Sequence, residues 1–321
     1  MKIAFYGLVG LGTSCLKKLV ESGFEVTAVV TEKSEDNRII EQKINSVQNI
    51  HKNALREYMQ YNKILDICRE RGISVFTPES NDCLIETSKI ITDKGADVMI
   101  VCSYGKKIPA AVFGSYKLAV NIHPGLLPLN AGPAPVQWSI RKNEITTGVT
   151  AHILTEELDA GDIVNSMEIP IDSSDTSASL NYKITEIYAP EVLIRTLISF
   201  QMNRMNFHPQ DTSLRVLNPK YSLEHSCIDF ERDTAEEIIL KVRAGNYYQP
   251  AHFNFNEKTI IVWDAAVSNQ KFDINPGEAA GISSEGFLIL QTADKAIEIR
   301  RVQMNDNFSP EIIPERLLKL L

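Results

Sequence analysis

Hydrophobic positions open the chain in short blocks. Residues 2–6 (KIAFY) form an apolar run that meets a glycine cluster at Gly7, Gly10 and Gly12. Leu16, Leu19 and Val20 then recur at helical spacing until Gly23. Residues 25–31 (EVTAVVT) are rich in β-branched side chains and predict a second strand. Strand, turn, helix and strand in that order predict the opening of a parallel α/β sheet. Residues 33–71 are charged and mostly helical in pattern, 73–77 (ISVFT) read as a strand, and helical spacing returns near 82–94. The continuous apolar run 97–103 (DVMIVCS) predicts a strand buried on both faces. Residues 118–122 (LAVNI) are another short strand, followed by a loop dense in Pro and Gly from Pro124 to Pro135. Val149–Leu154 reads as a strand and 176–203 as a helix.

The pattern changes after 204–222, where Pro209 and Pro219 sit among polar residues and mark a linker. Beyond it a helix over 234–244 precedes short strands at 259–267, 286–291 and 296–303, with turn residues such as Asn275-Pro276-Gly277. That pattern predicts a small, mainly β domain, a barrel in the simplest case. The 321 residues thus divide into domains over 1–205 and 206–321. A length near 320 suits about two domains.

Composition is that of a globular protein, with 44% hydrophobic and 23% charged residues. Lys and Arg number 33 against 41 Asp and Glu, a net charge of -8. Residues 1–205 carry 21 basic and 24 acidic groups (net -3), and residues 206–321 carry 12 and 17 (net -5). Neither part is a basic module of the kind that neutralises phosphates. The five cysteines, Cys15, Cys68, Cys83, Cys102 and Cys227, are scattered without a CxxC pair. They read as reduced thiols and suggest neither a disulfide framework nor a zinc site. The N-terminal apolar run is too short for a signal sequence and no apolar stretch reaches 18 residues, so a cytoplasmic protein without a membrane span is expected.

Two regions carry candidate chemistry. The glycine cluster could turn backbone N–H groups toward an anion at a helix N-terminus. Glu32 lies about 20 residues on, where a dinucleotide fold places its ribose-binding acid. The spacing is G-x-x-G-x-G, however, which breaks the G-x-G-x-x-G fingerprint and speaks against a nicotinamide cofactor. A phosphate or substrate loop at Gly7, Gly10, Gly12 and Thr13 and a purely structural turn both stay open. The second region is 120–162. Asn121 and His123 are two apart, so on a strand they point to one face. The later E-E-L-D-A-G-D segment places Asp159 and Asp162 in one turn, as solvated acids or as partners of that histidine.

Together, N-I-H-P-x-L-L-P, G-x-x-P, T-G-V-T-x-H and L-D-A-G-D resemble the formyltransferases that use 10-formyltetrahydrofolate. The resemblance covers about residues 1–200. It implies an N-terminal Rossmann-type parallel-sheet catalytic domain, followed in some branches by a smaller, mainly β (OB-like) domain. The family's catalytic Asn, His and Asp fall on Asn121, His123 and Asp159. The pterin pocket maps to Ser103, Tyr104, Gly105, Lys106, Lys107 and Ile108, closed by Thr155, Glu156, Glu157 and Leu158. No metal is implied. In such chemistry Asn121 and His123 donate to the developing oxyanion, Asp159 favours the imidazolium, and the amine proton leaves to Asp159, to a water or to His123. The acidic second domain and the mixed charges of 33–71 disfavour tRNA and favour a small amine such as a nucleotide-linked amino sugar. An oxidoreductase and a folate-binding protein without turnover are the competing classes. A homodimer is expected only by analogy. The chain departs from the family at Asn130-Ala131-Gly132, where relatives have Arg-Gly, and at Gly125, where Ser is usual. Gly245-Asn246-Tyr247-Tyr248-Gln249-Pro250 resembles an aromatic–proline turn that could pack or stack a base.

Overall fold

The computed structural model describes residues 1–8, 10–32, 64–246, 249–255 and 258–304. The expected helical insertion lies outside these residues except for its last turns, as do Tyr247 and Tyr248. The chain forms two compact units. One comprises Met1–Gly132, Thr146–Pro170 and Asn181–Asn218; the other comprises Pro133–Ile145, Ile171–Leu180 and the chain from Pro219 onward.

The first unit is built on a seven-stranded sheet of order β3-β2-β1-β4-β5-β6-β7. Its strands are β1 (Lys2–Gly7), β2 (Glu25–Val30), β3 (Ser74–Phe76), β4 (Val98–Cys102), β5 (Leu118–His123), β6 (Thr146–Ile153) and β7 (Ile163–Pro170). Strands β1 to β5 run parallel. Strands β6 and β7 are antiparallel. The parallel sheet expected from the sequence is therefore parallel in its first five strands and mixed at one edge. The nine-residue link from β6 to β7 holds no helix and is too short for a parallel crossover, so β7 returns antiparallel to β6, and β6 is the one strand that runs against the others.

Every residue of β4 is buried, as its unbroken apolar run requires for a central parallel strand. Ala4, Tyr6, Ala28, Val30, Met99 and Val101 form one core face with Leu84 and Ile91. Helices α1 (Leu11–Glu21), α2 (Ile64–Arg71), α3 (Asn81–Asp93) and α4 (Ala110–Phe113) lie between the parallel strands in sequence. Helix α3 starts where the Ser80 hydroxyl accepts the Cys83 N–H at 3.2 Å, a side-chain cap for an otherwise unpaired donor. Strand order reverses between β1 and β4, which opens a crevice at their C-terminal ends.

In the second unit, β8 (Ala251–Phe255), β9 (Lys258–Ser268), β10 (Ala279–Ile282), β11 (Leu288–Gln291) and β12 (Ala296–Met304) form an antiparallel sheet of order β10-β11-β12-β9-β8. Of the helices before this sheet in sequence, α5 (Pro135–Arg141) belongs to this unit, α6 (Ser177–Lys183) begins in it, and α7 (Ala189–Gln201), after a π-helical turn at 184–188, belongs to the first. Short α8 (Leu223–Ser226) and then α9 (Ala235–Gly245) follow. Thr234 and Glu237 cap α9 reciprocally. Its Ile238 and Val242 join Phe253, Val262, Leu290 and Ile297 in this unit's core. Buried Lys241 donates to Asp233 at 2.5 Å and to Cys227 O at 2.7 Å.

Candidate active site

Asn121 and His123 stand at the end of β5, the strand beside β4. Their i, i+2 spacing puts both on one face of the sheet. Opposite them on β6 are His152, paired with Asn121, and Thr150, paired with His123. The antiparallel register thus brings a second histidine to the site. Asn121 Nδ2 lies 3.0 Å from His152 Nε2. His152 Nδ1 lies 3.0 Å from Ile153 O. A carbonyl only accepts, so Nδ1 carries the proton, and in the neutral ring Nε2 accepts from Asn121. The second N–H of the Asn121 amide is left for another acceptor. Asn121 is also the partly exposed member of the set, while His123, His152 and Asp159 are buried.

The loop after β6 folds back so that Ile153 N–H reaches Asp162 O, and Asp159 arrives between the two histidines. Its Oδ2 lies 3.7 Å from His123 Nδ1 and its Oδ1 lies 3.5 Å from His152 Nε2. Asp159 Oδ2 also accepts the Gly132 N–H at 2.9 Å. Burial acts to raise the carboxyl, but His152, His123 and the Gly132 N–H together hold it below the ordinary carboxylate value. Asp159 has φ +52° and Ser103 has φ +57°. Left-handed backbone in non-glycine residues is strained by roughly 1–3 kcal/mol and clusters at functional sites. Gly161 is required by contact rather than by φ: a Cβ there would fall 1.9 Å from Ile153 O.

His123 Nε2 lies 2.7 Å from Asn130 O, so Nε2–H is the donor and Nδ1 presents its lone pair toward Asp159. Full burial pushes the His123 imidazolium below the ordinary histidine value; Asp159 and the Asn130 carbonyl oppose this and His152 adds to it. Asp159 pulls toward the imidazolium as expected, while the net shift runs the other way. Desolvation outweighs the carboxylate.

The segment 204–222, read from its prolines as a linker, is fastened to the site over its first part. Gln210 Nε2 donates to Asp159 O at 2.9 Å and to Gly161 O at 2.7 Å. Arg215 donates to Glu157 Oε1 and Leu158 O, each at 2.5 Å. Val216 N–H reaches Pro128 O, Ala131 N–H reaches Val216 O, and Asn218 N–H reaches Ala131 O. Asn218 Nδ2 donates to Asn130 Oδ1 at 3.1 Å. The Asn130-Ala131-Gly132 departure is therefore part of the wiring, since Asn130 holds His123 and Gly132 holds Asp159. Gly125 O accepts the Thr150 hydroxyl at 2.7 Å.

Segments 103–108 and 155–158 follow β4 and β6, the two neighbours of β5. Ser103, Gly105, Lys106 and Thr155–Leu158 are exposed, Tyr104 is half-buried and Ile108 is buried. Among the described residues, no backbone N–H of either segment is paired with another backbone group. Main-chain N–H groups left unpaired on both sides of β5 suit a planar heterocycle that presents acceptors along one edge. In the glycine cluster, Gly10 has φ +84° before α1. A Cβ on Gly7 or Gly12 would lie 2.9 and 3.0 Å from Cys102 O, so both let β1 and α1 press on the end of β4. Thr13 is buried. Asp162 is half-buried, and its carbonyl accepts the Ile153 N–H. Sequence reasoning missed His152, although T-x-H stands in the motif, and it missed the strap, for which the sequence carries no signal. Among the described residues no cluster of three or more His, Cys, Asp or Glu could hold a metal ion, and no helix is long and apolar enough to cross a membrane.

A fold with a crevice at its strand switch, a polar set of one amide, two imidazoles and one carboxylate, and free backbone edges define a group-transfer enzyme of α/β type. Comparison gives the family. The model of the formyl transferase family matches residues 1–197, and that of the formyl transferase C-terminal domain matches 220–309. The chain belongs to the formyl transferase family and is a formyltransferase. Among curated relatives, the methionyl-tRNA formyltransferase of Sulfurihydrogenibium sp. (strain YO3AOP1) is 28% identical over 94% of this chain and 92% of that protein. That of Bacillus subtilis (strain 168) is 25% identical over 94% of this chain and 90% of that protein. Among solved structures, an N-formyltransferase from Helicobacter canadensis with folinic acid and dTDP-3-aminofucose shares the fold at TM-score 0.67 and 18% identity, over 93% of this chain and 98% of that one. HypX from Aquifex aeolicus with tetrahydrofolic acid aligns at TM-score 0.65 and 22% identity over 99% of this chain, which spans 47% of that protein.

Proposed function

We propose that this enzyme formylates the amine of a small, nucleotide-linked amino sugar, with Asn121, His123 and Asp159 at the reacting atoms. The charge balance supports the substrate: the part from residue 206 on is net -5, whereas a tRNA acceptor stem calls for a basic surface. The sugar N-formyltransferase of Helicobacter canadensis also extends over nearly the same length. A second reading, methionyl-tRNA as the acceptor, is favoured by the name shared by the curated relatives that cover 94% of this chain.

When bound, the donor supplies an activated formyl carbon; Ser103–Ile108 and Thr155–Leu158 would hold its pterin through main-chain groups. Attack by the amine puts negative charge on the formyl oxygen and positive charge on nitrogen. The free N–H of Asn121 donates to that oxygen, and one preorganised donor of this kind lowers a barrier by roughly 3–4 kcal/mol. The lone pair on His123 Nδ1 is a vacant proton site held next to the ionised Asp159. A proton transferred there from nitrogen creates an imidazolium beside a carboxylate, which compensates the burial that otherwise opposes it, and His123 gives that proton up to the departing nitrogen as the bond between the formyl carbon and the donor breaks. His152 fixes the Asn121 amide by accepting one of its N–H groups at Nε2. The substrate must arrive as the neutral amine.

The test is a panel of amino-sugar nucleotides and charged initiator tRNA, each incubated with 10-formyltetrahydrofolate and read by the mass gain of one formyl group. Formylation of a sugar nucleotide supports the reading. Rapid formylation of the tRNA with none of the sugars replaces it with the second.

A further inference from the structure

Glu32 follows β2 and, in the register that pairs Val30 with Tyr6, reaches the C-terminal edge of the sheet beside Leu8. Its carboxylate lies over Gly105: a Cβ built there would be 2.9 Å from Glu32 Oε1 and 3.5 Å from Leu8 Cδ1. The lack of a side chain at 105 is what leaves room for this carboxylate. Glu32 is half-buried and makes no hydrogen bond or ion pair with another described residue. Next to it, Tyr104 stands edge-on to Tyr6, with ring centroids 5.8 Å apart. The Tyr104 hydroxyl is buried without a hydrogen-bond partner among the described residues. Burial and the nearby Glu32 charge both push this phenol above its ordinary value, so it stays a neutral donor. A carboxylate and a phenol, both unsatisfied and adjacent, thus line the crevice at the strand switch point.

We propose that Glu32 and Tyr104 form a subsite for the ribose hydroxyl pair of the acceptor's nucleotide carrier. An ionised carboxylate accepts from hydroxyls and repels phosphate, and an acid at the end of the second strand is the position from which α/β folds bind ribose. The distance agrees. From β2 to β5 there are three strand steps in the order β2-β1-β4-β5, or about 14 Å at ~4.8 Å each. A ribose at Glu32 is therefore separated from an amine at Asn121 and His123 by about the span of a diphosphate and a sugar ring together, with the turn after β1 between them. This inference rests on the nucleotide-linked acceptor proposed above and adds that the carrier is a ribonucleotide rather than a 2′-deoxyribonucleotide.

The probes are UDP and ADP with their 2′-deoxy forms, titrated calorimetrically into the full chain. One lost charge-assisted hydrogen bond predicts that the wild type binds at least one ribonucleotide about tenfold more tightly than its deoxy form. Glu32→Gln and Glu32→Ala erase that preference. The inference is overturned if the wild type binds neither ribonucleotide, if ribo and deoxy forms bind alike, or if either variant keeps the preference. Loss of formyl from 10-formyltetrahydrofolate by the same wild-type preparation, compared with His123→Ala, reports separately on the transfer chemistry. Failure of that assay strikes the functional reading, whereas failure of the titration strikes the ribose subsite alone.

Discussion

Replacing Asp159 by Asn tests the proton-transfer assignment with little disturbance of the fold. Asparagine is nearly isosteric, tolerates the φ of +52° at this position, and keeps an oxygen to accept the Gly132 N–H. It removes the negative charge 3.7 Å from His123 Nδ1. At an effective dielectric of ~20, a unit charge pair at that separation interacts by about 4 kcal/mol. This bounds the stabilisation the carboxylate gives a proton arriving on His123. Losing most of it lowers kcat by about 100- to 1,000-fold, at 1.36 kcal/mol per decade. The assay is turnover of 10-formyltetrahydrofolate against pH with saturating acceptor. On this assignment His123 is the neutral base, and activity is expected to fall as pH drops through its pKa, which lies below the ordinary histidine value. Asp159 raises that pKa against burial, so Asp159→Asn moves the acid limb to still lower pH. A variant with more than a tenth of wild-type kcat, or an acid limb displaced upward, refutes the assignment.

Other expectations concern the supports of the site. Gln210→Ala removes two bonds to the carbonyls of Asp159 and Gly161, each worth ~1 kcal/mol. It should lower kcat by about 10-fold with a small change in Tm, and an unchanged kcat would show that the strap does not position Asp159. Gly161→Ala cannot keep the present loop, because its Cβ meets Ile153 O at 1.9 Å; circular dichroism should show a folded protein and the activity assay at least a 100-fold loss. Lys241→Met strands the buried Asp233 carboxylate, a change that destabilises by roughly 3–5 kcal/mol. Chemical denaturation should show that loss, and a stability within 1 kcal/mol of wild type would mean Asp233 finds another partner.

Local physics alone placed much of this protein. The unbroken apolar run at 97–103 could only be a strand buried on both faces, and β4 is that strand. The Ser-, Thr- and glycine-bounded helical runs gave α1, α3 and α9 within a few residues. Two-residue spacing put Asn121 and His123 on one face before any coordinates were known, because strand side chains alternate. Other features depended on pairings far apart in sequence. Nothing local says that β6 returns antiparallel, yet that register sets His152 against Asn121. Nothing in 204–222 distinguishes a linker from a strap, since its bonds go from Gln210, Arg215 and Asn218 to residues 49–88 positions earlier. The charge state of His123 was likewise a tertiary matter. Sequence could name a carboxylate neighbour, but the desolvation that outweighs it exists only once the chain has closed around the ring.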